Sequence, residues 1–189
     1  MLPNRRRELA LIDYEVIRMP VVPAEQRLDA LRQLGLSEAL IRQSAGEQLH
    51  TVLWYRCLGP PYFVYHGADI PDGPLLIPLW DCCDSVTGVW LPGGRLQFIE
   101  FSIERPTEFR VLAKSEQGLW ATVFVDLYED NGAVQRLDLV EPADIVGFQF
   151  LDELFTDYEL TRDATFEQHQ TFMRNAVAKI DALATGAGP

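Results

Sequence analysis

Two adjacent cysteines, Cys82 and Cys83, stand between Asp81 and Asp84 in the stretch "PLLIPLWDCCDSVTGVW". Thiols and carboxylates grouped in this way suggest either a metal site or a cysteine nucleophile. A zinc site prefers ligand pairs spaced two to four residues apart, whereas neighbouring residues of an extended chain point to opposite faces. The two aspartates also disfavour the thiolate that a nucleophile requires. We therefore interpret the stretch as two strands joined by an acidic turn.

The rest of the chain carries no pattern typical of a catalytic or cofactor site. The three histidines fall singly, and no Cys-x-x-Cys pair, G-x-S-x-G elbow or glycine-rich phosphate loop is present in the sequence. Three cysteines in a chain without an export signal predict free thiols rather than a disulfide framework. We accordingly predict a protein that is not an enzyme and that binds neither a metal ion nor a cofactor.

The formal net charge of −12 is distributed unevenly along the 189 residues. Residues 1–60 contain eight Lys/Arg and seven Asp/Glu, while residues 61–189 contain eight Lys/Arg and 21 Asp/Glu. A surface this acidic repels nucleic acid and anionic lipid and attracts basic proteins. No apolar run is long enough to cross a bilayer, and the first residues lack the features of a secretory signal. We expect a cytoplasmic protein with a basic protein partner, and no binding to nucleic acid or membrane.

The hydrophobic pattern changes twice along the chain. Leucines at helical spacing predict two short helices broken at Gly35, the second capped by Ser37. From His50, apolar runs separated by turn residues predict an antiparallel β-meander of five to six strands. These runs are "TVLWYR", "YFVYH", "LLIPLW", "VTGVW" and "LQFIEFSI". Apolar steps of three and four residues then predict helices over 111–128, 150–158 and 164–184, with a lone strand in "NGAVQRLDLVEP".

Helices, then a sheet, then helices again are typical of an α+β domain. Because no linker or repeat divides the chain, we predict a single domain over residues 1–189, with 1–20 and 185–189 as loose ends. Its antiparallel meander is expected to pack against the N- and C-terminal helices.

Aromatic side chains within acidic segments suit the recognition of a basic protein, because aromatics anchor an interface and charges steer the encounter. Three segments combine these features: "GPPYFVYHGADIPDGP" with the acidic turn that follows it, "DLYEDNG", and "EPADIVGFQFLDELFTDYE". The candidate partner-binding residues are Tyr62, Tyr65, Asp81, Asp84, Tyr128, Glu129 and Asp130.

The order of elements and two stretches of sequence resemble the SMI1/KNR4 (SUKH) superfamily. The likeness is strongest over Tyr62–Trp90, with "PPYFVYHG", "PLLIPLWD" and "GVW", and over Gln97–Glu129, with the F-x-x-L-A-x-S stretch that begins at Phe109. The resemblance implies an α+β domain that binds proteins and is not enzymatic. In bacteria many such proteins are immunity proteins that neutralise toxins, often nucleases. An acidic protein can occupy the basic cleft with which a nuclease holds phosphates.

Two other functions stay open. A small hydrolase or ligand-binding enzyme with its site near Asp81–Asp84 would require a deep pocket there, with converging polar groups. A self-associating module would use the amphipathic C-terminal helix.

Overall fold

The structure, a computed structural model, describes residues 21–61, 75–105, 108–130, 132, 134–161 and 164–186. The helices of this part of the chain are α1 (Ala24–Gln33), α2 (Glu38–Ser44), α3 (Thr51–Trp54), α4 (Glu116–Asp130), α5 (Val140–Val146), α6 (Leu151–Glu159) and α7 (Phe166–Ala184). The strands are β1 (Leu76–Cys82), β2 (Ser85–Trp90), β3 (Gln97–Ser102) and β4 (Phe109–Ala113). Short 3₁₀ turns lie at Pro92–Gly94 and Arg136–Leu139. The fold is α+β, as predicted.

The strands form one sheet in the order β1-β2-β3-β4, and each neighbouring pair is antiparallel. The predicted meander is therefore confirmed. In β4, Val111 lies opposite Ile99 and Ala113 opposite Phe98, which leaves Leu112 as an extra residue. Such a bulge bends the strand locally. β4 forms one edge of the sheet and β1 forms the other.

The sheet has four strands within the described residues, rather than the five to six that were predicted. The run "TVLWYR" forms helix α3 and not a strand. Its start is fixed by His50, whose Nδ1 accepts a hydrogen bond from the Val52 amide at 3.2 Å. The run "YFVYH" lies outside the described residues.

Two further predictions were wrong about the type of element. Residues Phe109–Ala113 form strand β4, whereas the apolar spacing predicted a helix from residue 111. Helix α4 begins only after Ser115, whose hydroxyl oxygen accepts a hydrogen bond from the Gly118 amide at 3.0 Å. The segment predicted as a lone strand forms the 3₁₀ turn Arg136–Leu139 and helix α5.

Helix α4 lies at the centre of the core. Residues 118–125 are all buried, which is typical of a helix surrounded by protein. On the sheet side, Trp120 stacks on Trp80 of β1 with ring centroids 5.8 Å apart. Away from the sheet, Phe124 stacks on Phe148 at 5.2 Å. None of the helices in the described part of the chain combines the length and the apolar character that a membrane crossing requires.

Candidate partner-binding site

The acidic turn predicted at residues 81–84 joins β1 to β2. Cys83 and Asp84 form the turn itself, and both are exposed. Asp81 belongs to β1 and is buried, with 6% of its surface exposed. Tyr62 and Tyr65 lie outside the described residues. Of the four candidates from this region, the structure describes two and places only Asp84 at the surface.

Two of the three cysteines, Cys57 and Cys82, carry thiols that are not activated. All three are free. Burial raises the pKa of Cys57. Burial also raises the pKa of Cys82, and Arg56, whose Nη1 lies 3.5 Å from the sulfur, opposes this only in part. Both thiols are therefore protonated at neutral pH, which is the opposite of what nucleophilic catalysis needs. Within the described residues, no three His, Cys, Asp or Glu side chains are grouped so that they could hold a metal ion.

Arg56 connects the end of β1 to the end of α4. Its guanidinium forms ion pairs with Asp126 and, at 3.0 Å, with Asp130. Burial raises the pKa of Asp126, and Arg56 opposes that shift. Because Arg56 contacts both Cys82 and Asp130, it brings two parts of the predicted site into one region. The sequence gives no local signal for this bridge, since Arg56 and Asp126 are 70 residues apart.

Tyr128 and Glu129 make contacts within the protein. The Tyr128 ring packs edge to face on Phe155 and Tyr158 of α6, with centroid distances of 5.0 and 5.5 Å. Glu129 Oε1 accepts a hydrogen bond from the Tyr158 hydroxyl at 2.8 Å and lies 3.0 Å from His169 Nε2 of α7. Burial and the bond to Glu129 raise the pKa of Tyr158. These side chains hold α6 and α7 against α4.

The strongest concentration of negative charge lies elsewhere, on the segment that contains α5 and α6. Residues 136–161 contain one arginine and seven carboxylates, a net charge of −6. We call these carboxylates the acidic face: Asp138, Glu141, Asp144, Asp152, Glu153, Asp157 and Glu159. Six of them belong to exposed residues, and Asp157 is half-buried and paired with Lys179 of α7 at 2.8 Å.

Two leucines project from the same segment. Leu137 and Leu160 are each 84% exposed, and Val140 and Ile145 are also exposed, at 45% and 38%. Leu137 follows Arg136, which pairs with Asp152 at 2.7 Å. These leucines were not among the candidates, because sequence periodicity does not distinguish an exposed leucine from a buried one.

A groove of about 960 Å³ lies between β4 and α7, and one side of α4 forms its floor. None of residues 81–84 lines it, so the groove is not the pocket that a hydrolase near Asp81–Asp84 would require. The charged and titratable side chains that line it are Arg110, Lys114, Asp126, Glu129, His169, Arg174 and Asp181. Of these, only Glu129 was among the predicted site residues.

The chain was compared with known proteins in three ways. No model of a known family matches it, and neither the curated proteins nor the solved structures include one with significant similarity.

Proposed function

We propose that this protein is a non-enzymatic binding module that holds a basic protein against its acidic face. The observation that carries the proposal is the exposure of Leu137 and Leu160, 84% each, next to carboxylates of that face. A group of exposed apolar side chains bordered by polar residues is typical of a protein interaction site, and Val140 and Ile145 add to the exposed apolar surface of this segment. In interfaces of this kind, apolar anchors supply affinity while charges steer and orient the partner.

Part of the charge of the acidic face is left for a partner. Arg136 reaches Asp152 and Glu159, and Lys179 reaches Asp157. These pairs are solvent-exposed, so each contributes less than about 1 kcal/mol and can be exchanged for pairs with another protein. Glu141, Asp144 and Glu153 remain exposed and form no ion pair with a lysine or arginine of the described residues.

The binding surface that we propose does not include all of the residues predicted from the sequence. Tyr128 and Glu129 hold helices together, and Arg56 pairs with Asp130. Asp84 is exposed, and it stays a candidate at the periphery of the interface. A hydrolase with its site at Asp81–Asp84 is less well supported, because Asp81 is buried and the groove lies elsewhere.

The resemblance to the SUKH proteins extends the proposal to a specific role. In this role the chain is a bacterial immunity protein of the cytoplasm, and its partner is a toxin with a basic, nuclease-type cleft. The acidic face would then occupy that cleft in the place of phosphates.

Co-expression with the product of the gene next to its own tests this role. We expect the protein to rescue bacterial growth from a toxic neighbour and to co-purify with it. We expect the double variant Leu137→Ser/Leu160→Ser to rescue poorly while remaining folded. A matched variant, Leu58→Ser/Leu75→Ser, removes two exposed leucines at the β1 side and should rescue normally. Equal rescue by both variants would show that the two leucines of the acidic face are not anchors.

A further inference from the structure

The two edges of the sheet differ in how they are covered. At the β1 edge, Val21 forms a parallel bridge with Leu76 and Leu58 an antiparallel bridge with Asp81. At the outer edge of β4, no strand or bridge occurs within the described residues. The N–H and C=O groups along such an edge can pair with another extended chain.

The groove beside this edge has two roughly parallel walls. A Cβ atom placed on Gly118, near the start of α4, would lie 2.9 Å from Ala113 Cβ of β4 and 2.2 Å from Asp181 Oδ1 of α7. At the other end of α4, Glu129 contacts His169 of α7 at 3.0 Å. Helix α4 therefore runs antiparallel to α7.

At the end of β4, the Lys114 amide donates a hydrogen bond to Asp181 near the end of α7. Near the start of β4, Arg110 lies close enough to Asp126, in the second half of α4, to lower its pKa. β4 is therefore antiparallel to α4 and runs in the same direction as α7.

The dimensions of the groove suit an extended polypeptide. β4 has five residues and so offers about 17 Å of edge, at about 3.3 Å per residue. α7 has 19 residues and extends about 28 Å. The volume of about 960 Å³ is near the upper end of the range for ligand clefts. A strand paired with β4 would lie about 4.8 Å from it, over Val125 of the floor and beside Met173 and Val177.

The carboxylates of the groove are already engaged within the protein. Asp126 is paired with Arg56. Glu129 is bound by His169 and by a tyrosine hydroxyl. Asp181 accepts hydrogen bonds from the Lys114 amide at 2.8 Å and from a serine hydroxyl at 2.6 Å.

Of the three positively charged side chains that line the groove, only one forms an ion pair within the described residues. Arg110 pairs with Glu100 of β3 at 3.3 Å. The Lys114 ammonium and the Arg174 guanidinium form no ion pair within the described residues, although both side chains line the groove. Lys114 and Arg174 are therefore the lining cations that have no carboxylate partner within the described residues, and they are the groups that an acidic side chain could pair with.

We propose that the free edge of β4 accepts an extended segment of a partner protein as a fifth strand, and that Lys114 and Arg174 bind an acidic side chain of this segment. Backbone pairing would supply affinity, and the side chains that alternate along the segment would supply specificity. The proposal does not rest on the acidic face, which lies on other helices and prefers the opposite charge. Cations at a sheet edge can also serve only to prevent pairing, and the experiment separates these two roles.

A displayed library of random nine-residue peptides, selected against the whole chain, tests the proposal. Selected peptides are then titrated into the isotope-labelled protein. The variant Ala178→Trp fills the groove from α7, and its matched control is Ala184→Trp, on the same helix but away from the groove. The variants Lys114→Glu and Arg174→Glu reverse the groove cations, and Arg95→Glu reverses an exposed arginine outside it.

We expect the selected peptides to be rich in Asp or Glu and to protect amides of residues 109–113 from hydrogen exchange. Ala178→Trp and the two groove-cation variants should each weaken binding by about tenfold or more, and the controls by less than about twofold. If Ala178→Trp does not fold, the protection of the amides of residues 109–113 in the unchanged protein tests the proposal instead. Any one of four results would overturn the proposal. Two concern the selection: no peptide is selected, or the selected peptides lack acidic residues. The other two are unchanged peptide binding by Ala178→Trp, and protection of the amides of residues 109–113 by self-association of the protein alone.

Discussion

Arg136 Nη2 lies 2.7 Å from Asp152 Oδ1, and this ion pair joins the 3₁₀ turn to helix α6. The same guanidinium lies 3.6 Å from Glu159. Leu137 follows Arg136 in the chain and Leu160 follows Glu159, so these contacts hold the two leucines in the same region of the surface. Both carboxylates are well exposed, so we expect the pairs to orient the turn more than to stabilise the fold.

Replacing these leucines should leave the fold intact. We expect Leu137→Ser and Leu160→Ser to change the free energy of unfolding by no more than about 0.5 kcal/mol, because both side chains are solvent-exposed. The control is Leu139→Ser, in the same turn, which we expect to cost about 3 kcal/mol because Leu139 is fully buried. Urea denaturation followed by tryptophan fluorescence measures all three. Similar losses in the three variants would contradict the exposure of the two leucines.

Gly118 should not tolerate a side chain. The added Cβ of Gly118→Ala would meet Asp181 Oδ1 at 2.2 Å, and we expect a loss of about 2 kcal/mol in the free energy of unfolding. Asp181→Ala removes the obstacle and also two hydrogen bonds at the start of α4. The cost of Gly118→Ala should therefore be smaller when Asp181→Ala is already present. Additive losses in this double-mutant cycle would show that the two residues do not meet.

Arg56 should contribute most to the free energy of unfolding when Asp126 is ionised. Burial raises the pKa of Asp126 in the folded state above its value in the unfolded state. The folded state therefore binds the Asp126 proton more tightly than the unfolded state does. The contribution of Asp126 to the free energy of unfolding consequently falls as pH rises from the unfolded pKa to the folded pKa. Arg56→Met removes the opposing charge and raises the folded pKa further. We expect a loss of about 2 kcal/mol at pH values where Asp126 is ionised, and this loss should shrink as pH falls through the raised pKa of Asp126.

The matched control for Arg56 is the double variant Arg56→Met/Asp126→Asn. It has no carboxylate at this half-buried position, so the difference in its free energy of unfolding from the unchanged protein should vary much less over the same pH range. Urea unfolding at several pH values provides the comparison. A loss from Arg56→Met that is independent of pH would mean that Asp126 is not the group that Arg56 neutralises.

The β1–β2 turn should be stabilised by glycine at one position. Cys83 has a φ of 55°, in the left-handed region that side chains disfavour. We expect Cys83→Gly to raise the free energy of unfolding by about 1 kcal/mol and the Tm by about 3 °C. Asp84→Gly, one residue further along the same turn, should give no such gain. Thermal unfolding in reducing buffer measures both, and equal effects would place the strain elsewhere.

The sequence predicted those elements whose ends are marked by local chemistry. Gly35 has a φ of 73°, and the hydroxyl oxygen of Ser37 accepts a hydrogen bond from the Leu40 amide, so the break between α1 and α2 lies where it was expected. The last helix begins near the predicted residue, with Thr165 as its cap. Such signals act within a few residues and do not depend on the tertiary fold.

Strand β4 was missed because its apolar residues continue the spacing of the helix that follows. Val111 and Leu112 are in step with Leu119 and with later residues of α4, and only pairing with β3 distinguishes them. The groove was missed for a related reason. Its walls come from residues 110–114 and 166–185, and only the tertiary fold brings these segments together.

The affinity for the basic partner, measured as a function of salt, tests the central claim most directly. The triple variant Glu141→Gln/Asp144→Asn/Glu153→Gln removes three charges of the acidic face, and Glu25→Gln/Glu104→Gln/Glu108→Gln removes three exposed charges elsewhere. We predict that the first variant binds about tenfold or more weakly and loses salt dependence, whereas the second changes little. Equal affinity and equal salt dependence for the two variants would contradict binding through the acidic face.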